Sequence, residues 1–172
     1  MAYFRSALVV TMLLSAVCAT AFGLEMKTFQ KDDYGISMMY PETWKTSDVG
    51  TGVWFSPKEQ KTATPALILI VSPLTNDIAN LEVLLERVMA DLKSKYSPEG
   101  FGAPQDTLLG GQPAKEIPYT SPFGISNMWI VTIKDGKMYQ AWFQGRTSKY
   151  NTLLPVVREM LRSYTFIQPN TQ

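Results

Sequence analysis

Asn127-Met128-Trp129-Ile130-Val131-Thr132-Ile133-Lys134-Asp135-Gly136-Lys137-Met138-Tyr139-Gln140-Ala141-Trp142-Phe143 is the stretch that decides how this chain folds. Asp-Gly supplies the positive φ angles of a two-residue hairpin turn, so the flanking runs are predicted to pair antiparallel. Side chains alternate across a strand. Trp129, Val131 and Ile133 therefore share one face, and Met128, Ile130 and Thr132 share the other. Both faces are apolar, which means that helices or loops must cover each side of the sheet.

Further strands lie on either side of the hairpin. Residues 66–71, Ala-Leu-Ile-Leu-Ile-Val, form a continuous apolar run between Pro65 and Pro73, the mark of a central strand covered on both faces. Gly35-Ile36-Ser37-Met38-Met39-Tyr40 is partly alternating and is closed by Pro41, which cannot donate to a ladder. Val53-Trp54-Phe55 follows Gly50 and Gly52. After Thr107, a short segment turns at Gly110-Gly111 into residues 114–119, and the loop Ser121-Pro122-Phe123-Gly124 leads to Ile125.

Two helices interrupt the strands. Asn80 is placed to cap the first, in which Leu81, Leu84, Leu85, Val88 and Leu92 recur at helical spacing. Glu82, Glu86, Arg87, Asp91 and Lys93 make its solvated face. Ser97-Pro98-Glu99-Gly100 ends it. The second is predicted near residues 148–162, with Tyr150, Leu153, Leu154, Val157, Leu161 and Tyr164 on one stripe. Because a proline suits only a first turn, Pro155 implies that this helix begins near Thr152 or bends there. Ser163-Tyr164-Thr165-Phe166-Ile167 reads as a last short strand. The order strands, helix, strands, helix, strand predicts an α+β fold, a mostly antiparallel sheet with helices packed against it.

The chain has 172 residues, 16 basic and 15 acidic, one cysteine and no histidine. Arg5 is followed by an uncharged apolar stretch over residues 7–21 that ends in Ala19-Thr20-Ala21. This is the layout of a signal peptide, too short for the roughly 20 apolar residues of a membrane span. Cleavage is expected after Ala21, giving a secreted or periplasmic domain. Lipidation of Cys18 is disfavoured, since Ser15 and Val17 stand where such signals carry Leu and a small residue. Residues 22–31 are expected to be a flexible lead-in, residues 32–168 a single domain and residues 169–172 a tail. Cleavage would remove Arg5 and leave 15 basic against 15 acidic residues, without the basic footprint of a nucleic-acid binder. The domain is expected to be a monomer.

Without histidine or a second cysteine, no Ser-His-Asp or Cys-His triad, histidine or thiolate zinc site, histidine-ligated haem or redox dithiol can be built. Glu99, Asp106 and Glu116 are the only nearby carboxylate cluster and read as surface charges. Asp32-Asp33 and Asn76-Asp77 are candidates for calcium, but no spaced ligand loop accompanies them. No catalytic residue, cofactor or metal ligand is therefore assigned. The aromatic surplus, Trp44, Trp54, Trp129, Trp142, Tyr40, Tyr139 and Phe143, reads first as core. Trp54, after the Gly50-Thr51-Gly52 turn, and Phe101 and Phe123, in Gly- and Pro-rich loops, are the candidates for partner contact.

Three short words carry a family resemblance: Tyr34-Gly35-Ile36-Ser37 leading to Tyr40-Pro41-Glu42-Thr43-Trp44, then Leu108-Leu109-Gly110-Gly111-Gln112-Pro113-Ala114, then Ser163-Tyr164-Thr165-Phe166. In this order and spacing the chain resembles the PsbP-like family, which includes the Mog-type Ran-binding proteins. The resemblance implies an αβα sandwich and a non-enzymatic scaffold that binds a protein complex. In oxygenic phototrophs the namesake is an extrinsic lumenal subunit of photosystem II that helps retain calcium and chloride. This chain lacks the long basic N-terminal extension and the histidines associated with that role, and its leader is at odds with a Ran-binding address. The expected function is thus an exported binding or assembly module, extrinsic to a membrane assembly, and to photosystem II in the thylakoid lumen if the host is such a phototroph. Two alternatives stand beside it: a small-ligand or calcium-binding module using a pocket between sheet and helix, and a carboxylate hydrolase.

Overall fold

The computed structural model describes residues 23–59, 66–95, 100–121 and 123–168. The expected leader with Cys18, the tail at 169–172, Glu99 and Pro122 lie outside them. In chain order the elements are β1 (Met26–Lys31), a 3₁₀ turn (Asp32–Tyr34), β2 (Ile36–Pro41), β3 (Trp44–Asp48), β4 (Gly52–Pro57) and β5 (Ala66–Pro73). They continue with α1 (Leu81–Lys95), β6 (Gln105–Leu109), β7 (Gln112–Ser121), β8 (Ile125–Lys134), β9 (Lys137–Arg146), α2 (Thr147–Arg162) and β10 (Thr165–Phe166).

β8 and β9 pair antiparallel from Lys134↔Lys137 outward, around a turn in which Asp135 and Gly136 have φ of 50° and 69°. This hairpin lies inside a seven-stranded antiparallel sheet of order β3-β4-β5-β9-β8-β7-β6. Its two faces have separate cores. On one, Leu84, Val88 and Leu92 of α1 meet Ile117, Tyr119 and Val131. On the other, Val157, Met160 and Leu161 of α2 pack with Met128, Ile130, Ala141 and Phe143. The sheet is thus a layer between two helices, an αβα sandwich of the α+β class. α1 begins as the sequence indicates, with Asn80 Oδ1 accepting from the Val83 amide at 2.9 Å.

Three elements depart from the sequence reading. The lead-in expected to be loose contains β1, which pairs with β2 in register from Met26↔Pro41 to Lys31↔Ile36. β2 does not join the central sheet: with β1 and β10 it makes a separate three-stranded sheet that packs on the α2 side through Ile36, Met38 and Tyr40. Phe29 and Tyr40 meet Phe55 edge-on there, with ring centroids 5.2 and 5.3 Å apart. α2 starts at Thr147, earlier than Pro155 suggested, and runs through that proline. Pro155 and Asn151, whose carbonyl loses the proline's amide, are both exposed, so water can serve the orphaned oxygen.

The three words of the resemblance converge on one corner. Gly35 accepts at its carbonyl from the Ile167 amide at 2.9 Å, and Ser37 and Ile36 pair with Thr165 and Phe166. Ser163 Oγ accepts from the Met39 amide at 2.8 Å and donates to the Met160 carbonyl at 2.6 Å, tying the end of α2 to β2. Gly110, at φ +58°, lies under Phe166 so closely that a Cβ there would sit 2.7 Å from the ring. α2 is further held to β7 by a two-pronged pair between the Arg158 guanidinium and the buried Glu116 carboxylate.

Four outcomes follow for stability. Gly110→Ala, strained in φ and clashing with Phe166, is expected to cost about 2 kcal/mol in urea denaturation, and Gly111→Ala, at φ +78° with open space around it, less. Arg158→Ala leaves Glu116 buried and unpaired and is expected to cost roughly 2–4 kcal/mol, below the fully buried case because Arg158 is 39% exposed. Replacing the pair together, with Glu116→Leu and Arg158→Met, should recover most of that loss in the same assay. Burial pushes the Tyr150 hydroxyl up to about 12 and raises Tyr164 as well. The unfolded chain ionises these phenols near pH 10 while the fold keeps them protonated, so stability is full below pH 10 and falls as pH rises toward 12. Absorbance titration at the phenolate band, alongside circular dichroism, checks this by showing Tyr150 and Tyr164 titrating late, together with Tyr139, which burial also raises.

Candidate functional site

The pairing registers align large residues from strands far apart in sequence. Trp54 of β4 opposes Ile68 of β5, Ile68 opposes Trp142 of β9, Trp142 opposes Trp129 of β8, and Trp129 opposes Ile117 of β7. Directly opposed residues share a face. These five therefore form one transverse band, on the side away from Val53, Phe55, Met128 and Phe143, which belong to the α2-side core. That is the α1 side: Ile117 is buried in the α1 cluster, and Trp129 and Trp142 are partly buried against it. Ile68 is buried beside the indoles, whereas Trp54 is 40% exposed and its β3 neighbour Ser47 is exposed.

The two central indoles differ in their hydrogen bonding. Trp142 Nε1 donates to Asn127 Oδ1 at 3.1 Å, and the buried Asn127 in turn donates to the Ile125 carbonyl at 3.0 Å. Trp129 Nε1 is buried and has no partner among the described residues. Trp129 also forms part of the wall of a cleft of about 610 Å³ between α1 and the sheet, together with Leu74, Ile78, Val88 and Met138. Its polar lining includes Gln140, Arg87 and Asp91. Arg87 is paired with Asp77, and Asp91 accepts from Lys95 at 2.7 Å. Asp77 is held below the usual carboxylate range by a hydrogen bond from Thr75, its own backbone amide and the Arg87 charge.

The sequence candidates fall in three different places. Trp54 stands at the open end of the band, and Phe123 is 86% exposed at the tip between β7 and β8. Phe101 is half-buried, bridged to Tyr119 and stacked on its ring at 5.1 Å, so the loop before β6 is fastened to the α1-side core. The calcium candidates are dispersed: Asp32 accepts from Gln30 at 2.7 Å and Asp77 is committed to Arg87. Among the described residues no group of three or more acidic side chains gathers for a metal ion. Asp106 opposes Lys115 while Glu116 opposes Gln105, which puts the two carboxylates on opposite faces of the sheet and breaks up the hydrolase cluster. Gln140 and Trp129 as cleft walls were missed. The only sequence signal for them was apolar residues on both faces of the hairpin.

No family model matches the chain, and no curated protein sequence matches it. Solved structures do. Cyanobacterial PsbP (CyanoP) from Synechocystis sp. PCC 6803 superposes with a TM-score of 0.60 at 15% identity, over 83% of this chain and 93% of that one. LpqN, involved in cell envelope biogenesis of Mycobacterium tuberculosis, gives 0.58 at 18% identity over 84% and 92%. The Saccharomyces cerevisiae Ran-binding protein Mog1p gives 0.52 at 9% identity over 84% and 97%. At these identities the likeness establishes architecture alone, and the architecture is the PsbP-like fold that Mog1p shares.

Proposed function

We propose that this chain is an exported, non-enzymatic binding module that docks on a protein of an extracytoplasmic or membrane-bound assembly through the open end of its tryptophan band. The observation that carries this reading is Trp54: a 40%-exposed indole on β4, a strand paired on both sides next to the sheet edge, at the end of the sheet face that α1 leaves open. Tryptophan on a fixed backbone supplies large contact area at little entropic cost, and such residues dominate binding energy at interfaces. Phe123 is a second, separate contact at the hairpin tip. Phe101 acts through the loop it pins against Tyr119.

Export rests on the leader-like residues 1–21, and among the described residues no helix is long and apolar enough to cross a membrane. The binding role is supported by fold relatives that include a Ran-binding protein, and an envelope setting by one involved in cell envelope biogenesis. In an oxygenic phototroph the assembly would be photosystem II. Non-enzymatic action is supported by the absence of histidine and by the separation of Asp106 from Glu116.

Crosslinking of the tagged full chain in its native host, followed by mass spectrometry, tests this. A discrete protein partner is expected from the exported fraction, with recovery reduced about tenfold or more by Trp54→Ala, a change at a partly exposed site that leaves the fold intact. Failure to recover any partner, or undiminished recovery with Trp54→Ala, contradicts it.

A further inference from the structure

The tip between β7 and β8 combines an exposed ring with charge that its own segments do not neutralise. Phe123 is 86% exposed there, on a backbone that is tied down. The Gly124 amide donates to the Ser121 carbonyl at 3.0 Å and closes the turn, and the Gly124 carbonyl accepts from the Thr147 amide and hydroxyl, each at 3.3 Å. The Ser126 and Thr147 hydroxyls lie 2.9 Å apart in a further hydrogen bond, so the tip is fastened to the start of α2. That sets it beside Arg146, which opposes Ile125 across the β8–β9 ladder, and Lys149 in the first turn of α2. Both cations are exposed, and neither forms an ion pair among the described residues. Residues 117–133 carry no charged side chain, and residues 138–157 carry none but these two.

Shape and charge together select an occupant. A stable protein interface needs about 800 Å² of closely packed surface per partner, which a projecting turn with one large apolar side chain does not present. A bilayer surface requires less: an aromatic ring that enters the headgroup boundary, and cations that stay among anionic headgroups. Because the turn is already fixed by hydrogen bonds, little conformational freedom is lost on insertion.

We infer that the β7–β8 tip is a reversible contact for an anionic lipid bilayer, with the Phe123 ring entering the headgroup region and Arg146 and Lys149 meeting lipid phosphates. This names what the hairpin-tip contact of the proposed docking role meets, and it rests on that role for its setting outside the cytoplasm. Arg146 lies four residues beyond Trp142 on β9, about 13 Å along the strand. With the tip on a membrane, the tryptophan band therefore stands above the surface and Trp54 is left free for a membrane-bound protein.

The test is co-sedimentation of the protein, purified from the exported fraction, with phosphatidylcholine vesicles containing about one-third phosphatidylglycerol, against phosphatidylcholine alone. Binding to the anionic vesicles is expected to be tighter by roughly tenfold or more and to be lost as salt rises to about 0.5 M. Phe123→Ser should weaken it roughly tenfold, whereas Phe123→Leu should keep most of it. Arg146→Gln together with Lys149→Gln should weaken it roughly tenfold or more and flatten the salt dependence. These side chains are exposed, so the melting temperature should not change. Trp54→Ala should bind vesicles as wild type does, which separates loss of the membrane contact from loss of the protein partner. The inference is overturned by no binding to the anionic vesicles, by equal binding to both kinds, or by wild-type affinity in Phe123→Ser or in the double cation variant. A photocrosslinker at position 123 that joins a protein and no lipid in the native host would also overturn it, and would make the tip a protein contact.

Discussion

The β8–β9 hairpin is apolar on both faces, and that single constraint organises the molecule. Met128, Ile130 and Phe143 cannot be left in water on one side, nor Trp129, Val131 and Trp142 on the other. A hairpin with this pattern has to sit in the middle of a layered domain. The two covers differ in extent. α2 and the small sheet together seal the α2 side with a continuous cluster from Phe29 to Leu161. Among the described residues, α1 and the loop carrying Phe101 cover the other side, reaching β7 and β8, while Trp54 toward the β3–β4 end stays 40% exposed. The proposed docking role rests on that difference, which leaves Trp54 partly exposed at one end of the α1 face.

The three words that carry the family resemblance do not lie at the exposed end of the tryptophan band. Gly35, Gly110, Ser163 and Phe166 meet at the corner where the small sheet, the β6–β7 turn and the end of α2 join. Each is there for a reason of space or hydrogen bonding: a left-handed turn, a ring resting on a backbone without Cβ, a hydroxyl serving both a helix end and a strand amide. They define how layers are joined. Structures at 9–18% identity share this architecture, and an architecture does not by itself set a partner.

Much of the fold was legible in the sequence because it is specified locally. Asp135-Gly136, the run at residues 66–71, the Asn80 cap and the two helical stripes each act within a few residues. What escaped notice is non-local. Met26–Lys31 carries too few apolar residues to announce a strand, and becomes one only by pairing with β2. Trp44–Asp48 is an edge strand whose last four residues are exposed, so no alternation marks it. The tryptophan band depends on the register of β4, β5, β9 and β8, which are not consecutive in the chain, and the cleft depends on where α1 lands upon them. Trp54 and Phe123 were singled out from turn composition and prove exposed, while Phe101, chosen on the same ground, is stacked on Tyr119.

Unequal coverage of the two sheet faces is the claim on which the functional assignment depends. Hydroxyl-radical footprinting of the free protein, read by mass spectrometry at the four tryptophans, measures it directly. The expected order of oxidation is Trp54 fastest, Trp129 and Trp142 intermediate, and Trp44, only 3% exposed in the α2-side core, slowest. Protection of Trp54 equal to that of Trp44 would mean that the α1 face is sealed and would contradict the docking surface.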